Sequence, residues 1–116
     1  MKILSSKAHG ILDYLLSAFL LLTPTLFQTE GMFCKITYVI GGIHLLLTIL
    51  TRFELGLIKV IPFRIHGLIE LVVSIALAGL AFWFHNEGNS FAYWYYLVLA
   101  ITVLIVFIIT DFTAAD

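Results

Sequence analysis

Four long apolar stretches dominate the 116-residue sequence and restrict its fold more than any other feature. They cover about residues 8–27, 36–51, 63–84 and 91–109, and each approaches the ~20 residues that an α-helix needs to cross a bilayer core. Because lipid offers no hydrogen bonds to an exposed backbone, such spans are helices rather than open strands. We therefore expect an all-α membrane protein with four transmembrane helices.

The scarcity of charge argues against a soluble domain. Only 11% of the residues are charged and 62% are hydrophobic, whereas roughly a quarter of the residues in soluble domains are charged. A small soluble domain exposes much of its surface, which so few charged side chains cannot cover. The net charge of −1 gives no indication of the excess of basic residues that is typical of nucleic-acid-binding proteins. The predicted partner is the lipid bilayer, with no nucleic acid.

The segments between the apolar stretches predict the topology. Their short lengths imply antiparallel neighbours, as in a four-helix bundle. Lys35 is the single basic residue on one side of the predicted bundle, and the other side holds Lys2, Lys7, Arg52, Lys59 and Arg64. By the positive-inside rule, we expect both termini and the middle loop in the cytoplasm. The middle loop either lies along the inner membrane surface or is a plain linker.

Aromatic residues support the same orientation. Trp83 ends the third apolar stretch, and Tyr93, Trp94, Tyr95 and Tyr96 begin the fourth. Tryptophan and tyrosine are enriched where a membrane protein meets the headgroups. We therefore predict that these residues form a belt at the outer membrane interface.

The chain contains an internal repeat. Residues 7–17 (KAHGILDYLLS) align with residues 64–74 (RIHGLIELVVS) in their basic residue, His-Gly pair, acid and serine. An internal repeat constrains the whole fold, because each copy is expected to form the same structural unit. The second helices align only at residues 50–53 and 109–112. We predict a single domain, residues 1–116, built from a duplicated two-helix hairpin (about 7–53 and 64–112). Both copies start on the same side, so the repeat is parallel, with its axis along the membrane normal.

Five ionisable side chains within the predicted helices are candidate functional residues: His9, Asp13, His44, His66 and Glu70. Such groups are unfavourable in lipid and usually face a partner or a cavity. The two histidine–acid pairs at a spacing of four residues each share a helix face, and the duplicated faces can meet across a bundle. The residues predicted to support them are Lys7, Ser17, Arg64 and Ser74.

Several chemical functions are compatible with these residues. Imidazole and carboxylate groups are ligands for zinc, iron or manganese. The same groups relay protons or ions in membrane proteins. Two histidines on separate helices could be the axial ligands of haem. The simplest interpretation is structural, in which each acid pairs with its own histidine and holds the helices together.

The stretch His9-Gly10-Ile11-Leu12-Asp13-Tyr14, followed by Leu22-Thr23-Pro24-Thr25-Leu26-Phe27, resembles small bacterial membrane proteins of the SPW-repeat type. Those proteins have a two-helix repeat whose first helix ends in Ser-Pro-Trp or a similar proline-containing motif. Here Thr23-Pro24-Thr25 takes the place of that tripeptide. The resemblance implies a bacterial inner membrane and carries no established biochemical activity.

These observations predict a small non-enzymatic membrane protein that is an ion- or proton-coupled transport component or an accessory subunit. The alternative is a membrane-embedded metal- or haem-binding protein, including one with a redox function, that uses the histidines and carboxylates. Small-residue faces around Gly10, Gly67 and Ser74 predict a homo-oligomer, since small residues let membrane helices pack closely. The sequence does not specify the substrate, the cofactor or a protein partner.

Overall fold

The computed structural model, which describes residues 2–27 and 30–113, is a bundle of four α-helices. The helices are α1 (Ser6–Leu26), α2 (Gly31–Leu50), α3 (Phe63–Asn86) and α4 (Ser90–Ile109). In the described part of the chain, these four helices are long and apolar enough to cross a membrane. Helix α1 packs against α2 to form the first hairpin, and α3 packs against α4 to form the second. The prediction of an all-helical chain with four membrane-compatible spans is confirmed.

Local side-chain signals fix where two of the helices begin. Ser5 accepts a hydrogen bond from the Ala8 N–H at the start of α1 (3.1 Å). Asn89 accepts one from the Ala92 N–H at the start of α4 (3.0 Å). Both are preferred N-cap residues. Helix α2 begins at Gly31 rather than at residue 36. Lys35 thus lies near the start of the helix, where it is exposed and where its long side chain can reach the headgroups.

Helix α1 continues through Pro24 and ends at Leu26. Proline removes one backbone hydrogen bond and disturbs the preceding turn, but only two further residues of the helix follow it. The Thr23 hydroxyl donates to the Phe19 carbonyl (2.7 Å) and accepts from the Tyr95 hydroxyl (3.0 Å). This end of α1 is thus attached to α4.

An apolar core fills the end of the bundle away from the middle loop. Tyr96 is fully buried within it, and its hydroxyl pairs with that of Thr37 (2.5 Å). The prediction of an interfacial belt is therefore wrong for Tyr96, because its side chain points between helices rather than outwards. Trp83 and Trp94 are exposed. The core also contains Leu20, Phe33, Leu77, Ala81, Phe84, Ala92 and Leu99.

Short parallel strand pairings close the opposite end of the bundle. Strands β1 (Thr51–Arg52) and β2 (Ile61–Pro62) pair within the middle loop. Leu4 forms a similar parallel bridge with Thr110. The sequence analysis did not predict these pairings, since one or two residues carry no periodic signal. They bring the last residues of α2 and α4 beside the first residues of α3 and α1, respectively.

Candidate functional site

The ionisable side chains predicted from the sequence meet inside the bundle. His9 and Asp13 lie on α1, and His66 and Glu70 lie on α3. Each of these four residues is at most 3% exposed. One nitrogen or oxygen atom from each lies within 4.8 Å of the others. We call these four residues the central cluster. His44, on α2, lies beside it.

Each imidazole in the central cluster presents Nε2 to both carboxylates. The His9 Nε2 lies 3.1 Å from Asp13 Oδ2 and 3.0 Å from Glu70 Oε1. The His66 Nε2 lies 2.9 Å and 3.0 Å from the same two oxygens. The contacts to Glu70 have hydrogen-bond geometry. Asp13 Oδ2 has no aligned hydrogen-bond donor among the described residues despite its short distances to the two Nε2 atoms.

Two threonines determine which nitrogen of each imidazole carries a hydrogen. Thr110 Oγ1 lies 2.8 Å from His9 Nδ1, and Thr51 Oγ1 lies 2.7 Å from His66 Nδ1. Each threonine donates its only hydroxyl hydrogen to the carbonyl four residues earlier in its own helix (2.5 and 2.6 Å). The threonine oxygens can therefore only accept from the imidazoles, because a hydroxyl has a single donor. Both histidines thus carry a hydrogen on Nδ1.

This hydrogen placement requires additional protons or a cation at the centre of the cluster. A neutral histidine with hydrogen on Nδ1 would point the lone pair of Nε2 at carboxylate oxygens 2.9–3.1 Å away, which is repulsive. Buried charges that lack a partner are strongly unfavourable. The two carboxylates are balanced either by two additional protons, held on the imidazoles or on the carboxyl groups, or by one divalent cation between the four side chains.

Each hairpin supplies the residues that surround the other hairpin's histidine. His9 of the first hairpin contacts Thr110, which follows α4, and His66 of the second contacts Thr51, which follows α2. Gly10, by contrast, lies against the ring of Phe53 from its own hairpin, where a Cβ would overlap ring atoms. These contacts give a physical reason for the His-Gly pairs in the sequence, since the histidine enters the cluster and the glycine makes room for a phenylalanine.

The second hairpin repeats the same glycine contact. A Cβ at Gly67 would stand 2.9 Å from the Phe112 ring. The rings of Phe53 and Phe112 both pack on Phe63, with centroids 5.7 and 4.8 Å away, and Phe63 also contacts His9 edge-on at 5.4 Å. These three phenylalanines cover the loop side of the cluster and keep water from it, which strengthens its electrostatic interactions.

The predicted supporting residues lie elsewhere. Ser17 donates to the Asp13 carbonyl (3.0 Å) and Ser74 to the Leu71 carbonyl (2.7 Å), so both serines stabilise their own helices rather than the cluster side chains. Lys7 and Arg64 are exposed at the loop end of the bundle.

The middle loop has its own electrostatic contact with α1. The Ser6 hydroxyl lies 2.6 and 2.9 Å from the two Glu54 carboxylate oxygens. This hydrogen bond, with the positive charges of Lys7 and Lys59 nearby, holds the pKa of the exposed Glu54 carboxyl below its usual value. The contact attaches the loop to the start of α1, one turn from His9.

The sequence analysis missed the threonines and phenylalanines around the cluster. A signal was present, because residues 50–53 (LTRF) match residues 109–112 (ITDF), and this match contains Thr51, Phe53, Thr110 and Phe112. The match aligns the second helices of the two hairpins, and by itself it assigns these four residues no role. A short match placed directly after an apolar helix in both halves would have indicated these partners.

No protein-family model matches the chain, and no match was found among curated proteins or solved structures. The resemblance to SPW-repeat proteins therefore stays a prediction. The chemistry of the site has to be interpreted from the residues themselves.

Proposed function

We propose that the protein binds a divalent transition-metal cation inside its helical bundle, with His9, Asp13, His66 and Glu70 as ligands. The observation that carries this proposal is the orientation of the imidazoles, which donate Nδ1–H to threonine and turn Nε2 towards two carboxylates. Metal-binding histidines typically donate their other N–H to a fixed acceptor. Two imidazoles with two carboxylates suit zinc, iron or manganese.

The spacing and charge of the cluster support this proposal. The four close nitrogen–oxygen distances are 2.9–3.1 Å. Neighbouring ligand atoms with bonds of about 2.1 Å lie about 3.0 Å apart at octahedral angles and about 3.4 Å apart at tetrahedral angles. A divalent cation with two carboxylates and two neutral imidazoles has no net charge, which suits a membrane interior. Carboxylate oxygens occupy the space between the two Nε2 atoms, which favours a single ion over haem.

The same charge count supports a second candidate, in which two protons replace the cation. This form corresponds to the ion- or proton-coupled transport component predicted from the sequence. In the other half of the bundle, Thr37 pairs with Tyr96 and Thr23 with Tyr95. These mutually bonded hydroxyls favour a binding site over a continuous path through the bundle. An accessory role and a homo-oligomer stay predictions.

We further infer that the chain is a duplicated hairpin whose halves are related by an axis along the membrane normal. The matching contacts of His9 with Thr110 and of His66 with Thr51 support this repeat. The basic residues support a cytoplasmic position for the loop end and both termini, in a bacterial inner membrane. The exposed apolar residues Leu57, Ile58 and Val60 support a middle loop that lies on that membrane surface.

Thiol labelling in intact cells tests the orientation. Lys59→Cys places a thiol in the middle loop, whereas the natural Cys34 lies near the start of α2 at the opposite end. The measurement uses a membrane-impermeant maleimide, with Cys34→Ser as the background for Lys59→Cys. We expect Lys59→Cys to react only after the membrane is permeabilised. Reaction in intact cells would overturn the orientation.

Metal analysis of gently purified protein tests the proposed function. We expect one cation per chain in protein that is purified with metal or reloaded with Zn²⁺, Fe²⁺ or Mn²⁺. His9→Ala and His66→Ala should lose the cation, whereas His85→Ala should keep it, because His85 is exposed at the far end of α3. Circular dichroism checks that each variant keeps its helices. Folded wild-type protein that takes up none of these metals would overturn the proposal.

A further inference from the structure

The four short contacts of the central cluster form a closed ring in which nitrogen and oxygen atoms alternate. The Nε2 atoms of His9 and His66 each lie 2.9–3.1 Å from the same two carboxylate oxygens. These oxygens are Asp13 Oδ2 and Glu70 Oε1. We call these four atoms the donor ring. A cation inside the donor ring would have four donors with almost equal spacing.

The spacing of the donor ring sets the angles at such a cation. With metal–ligand bonds of about 2.1 Å, sides of this length correspond to angles of about 87–95° at the ion. A tetrahedral ion needs angles of about 109° and sides of about 3.4 Å, so all four sides would have to lengthen together. Right angles between neighbouring donors are the angles of octahedral coordination.

The closure of the donor ring adds a second restriction. Two nitrogens that each stand at right angles to both oxygens lie on opposite sides of the ion, unless the two oxygens themselves do. At least one pair of like atoms is therefore trans, with a separation of about 4.2 Å for bonds of about 2.1 Å. The four atoms lie within 4.8 Å of one another, which allows this separation. An octahedral ion has trans ligands, whereas a tetrahedral ion has none.

The surrounding bundle opposes a rearrangement of the donor ring. The imidazole of His9 is bonded through Nδ1 to Thr110 (2.8 Å), and that of His66 to Thr51 (2.7 Å). Both bonds connect one hairpin to the other, so a shift of either Nε2 atom towards a tetrahedral position strains a contact between the hairpins. The arrangement should therefore favour cations that accept right angles.

Glu70 offers a fifth donor atom. Its Oε2 atom is buried and has no hydrogen-bond partner in the part of the chain that the structure describes. Buried polar atoms in folded proteins nearly always have a partner. A cation in the donor ring would supply one, because both oxygens of a carboxylate can bind the same ion. Five protein donors exceed the four that a tetrahedral ion accepts.

We propose that the central cluster selects a six-coordinate cation of the Mn²⁺ or Fe²⁺ class over tetrahedral Zn²⁺, with Glu70 binding through both carboxylate oxygens. The inference rests on the proposed cation site and adds which class of cation that site prefers. Five protein donors leave one of six positions for water or another small ligand. Imidazole donors disfavour Mg²⁺ and Ca²⁺, which bind oxygen ligands.

Visible absorption of the Co²⁺-loaded, full-length protein in nanodiscs tests the proposal. Co²⁺ accepts both geometries, and its visible bands are weak in octahedral sites and intense in tetrahedral ones. We expect weak bands from stoichiometrically bound Co²⁺. Intense tetrahedral bands from bound Co²⁺ would overturn the inference and leave the cation site standing. Folded protein that takes up neither Co²⁺ nor Mn²⁺, Fe²⁺ or Zn²⁺ would refute the cation site itself, and this inference with it.

Two variants that each remove one negative charge provide a matched comparison. Glu70→Gln also removes the second oxygen donor, so it should intensify the Co²⁺ bands and raise the ratio of Zn²⁺ affinity to Mn²⁺ affinity several-fold in competition titrations. Asp13→Asn should weaken the binding of both cations and leave the bands weak. Equal spectra and equal affinity ratios in the two variants would contradict the role of Glu70 Oε2. Circular dichroism checks that both variants are folded, and the wild-type spectrum decides the geometry if either variant binds no Co²⁺.

Discussion

The two hairpins contribute equivalent side chains from their first helices and different side chains from their second helices. His44 of α2 stands seven residues before Thr51. The equivalent position in α4, seven residues before Thr110, is Val103. The His44 side chain contributes to the wall of a cavity of about 370 Å³ between the two hairpins. On the other side of the bundle, a cavity of about 80 Å³ borders Asp13 and Glu70. The equivalent residues build the cluster, and the difference decides what can approach it from the lipid.

The largest effect should come from removing either histidine of the central cluster. Because His9 and His66 occupy equivalent positions, we expect His9→Ala and His66→Ala to weaken cation binding equally, by more than the 10–100-fold typical of residues that only support a ligand. Isothermal titration with Zn²⁺ in detergent measures the affinities. If one variant kept the wild-type affinity, the equivalence of the hairpins at the site would be wrong.

The threonines should show a smaller effect that is again equal in both hairpins. Thr51→Val and Thr110→Val remove the acceptor for the imidazole Nδ1–H, and such changes typically lower metal affinity 10–100-fold. Thr102→Val is the matched control, since Thr102 also donates to a carbonyl four residues earlier (2.8 Å) but is exposed. The same titration applies. An affinity loss in the control as large as in the other two would show a general effect of losing a helix hydroxyl.

Replacing the equivalent glycines of the two hairpins should lower the unfolding free energy of the protein by different amounts. Gly10→Ala and Gly67→Ala force a methyl group against Phe53 and Phe112, and overpacking costs about 1–3 kcal/mol of unfolding free energy. Gly10→Ala should cost more, because Phe53 is 4% exposed and Phe112 is less buried and can move.

Thermal unfolding in detergent, followed by circular dichroism, measures this difference. Gly79→Ala is the control, since a Cβ there meets no atom within 4 Å, and it should leave the unfolding temperature unchanged or raise it. The opposite order of Gly10→Ala and Gly67→Ala would contradict the role assigned to the two phenylalanines.

Replacing His44 should make the two second helices alike. We expect His44→Val to keep the cation, because its Nε2 is 3.6 Å from Asp13 Oδ1 and outside the four proposed ligands. Metal analysis of the purified variant measures the cation content. Loss of the cation would place His44 among the ligands.

The smallest effect concerns Glu54, which lies in the middle loop and outside the helices. Its pKa is lowered in the folded protein, so its contribution to stability is present above the unfolded pKa of about 4.3 and is lost as the pH falls through the lowered value. Because Glu54 is exposed, the contribution is at most about 1 kcal/mol. Glu54→Gln should remove this part of the acid sensitivity in thermal unfolding between pH 3 and 7. An unchanged pH profile would show that the Ser6 contact contributes nothing.

The sequence predicted the four helices and the meeting of the ionisable residues because both depend on local periodicity. His9 with Asp13, and His66 with Glu70, share a face through a spacing of four residues, which any α-helix imposes. The four spans follow from length and apolar composition. The repeat then indicated that the two faces are alike.

The remaining features depend on contacts between distant parts of the chain. The bond between His9 and Thr110 joins residues 101 positions apart, and a threonine in an apolar helix commonly bonds only to its own backbone. The burial of Tyr96 depends on Phe33 and Phe84, which pack on its ring from two other helices. No local pattern distinguishes such a tyrosine from one at the membrane surface.

The crossed pairing of histidines and threonines has a consequence for how the chain is made. Ribosomes deliver α1 to the membrane first, when His9 and Asp13 have neither Glu70 nor Thr110 to meet. Until residue 110 has been synthesised, the first hairpin carries polar groups that lipid cannot satisfy. A chain truncated between the hairpins should therefore insert poorly or remain bound to the insertion machinery, and the central cluster can form only after residue 110 has been synthesised.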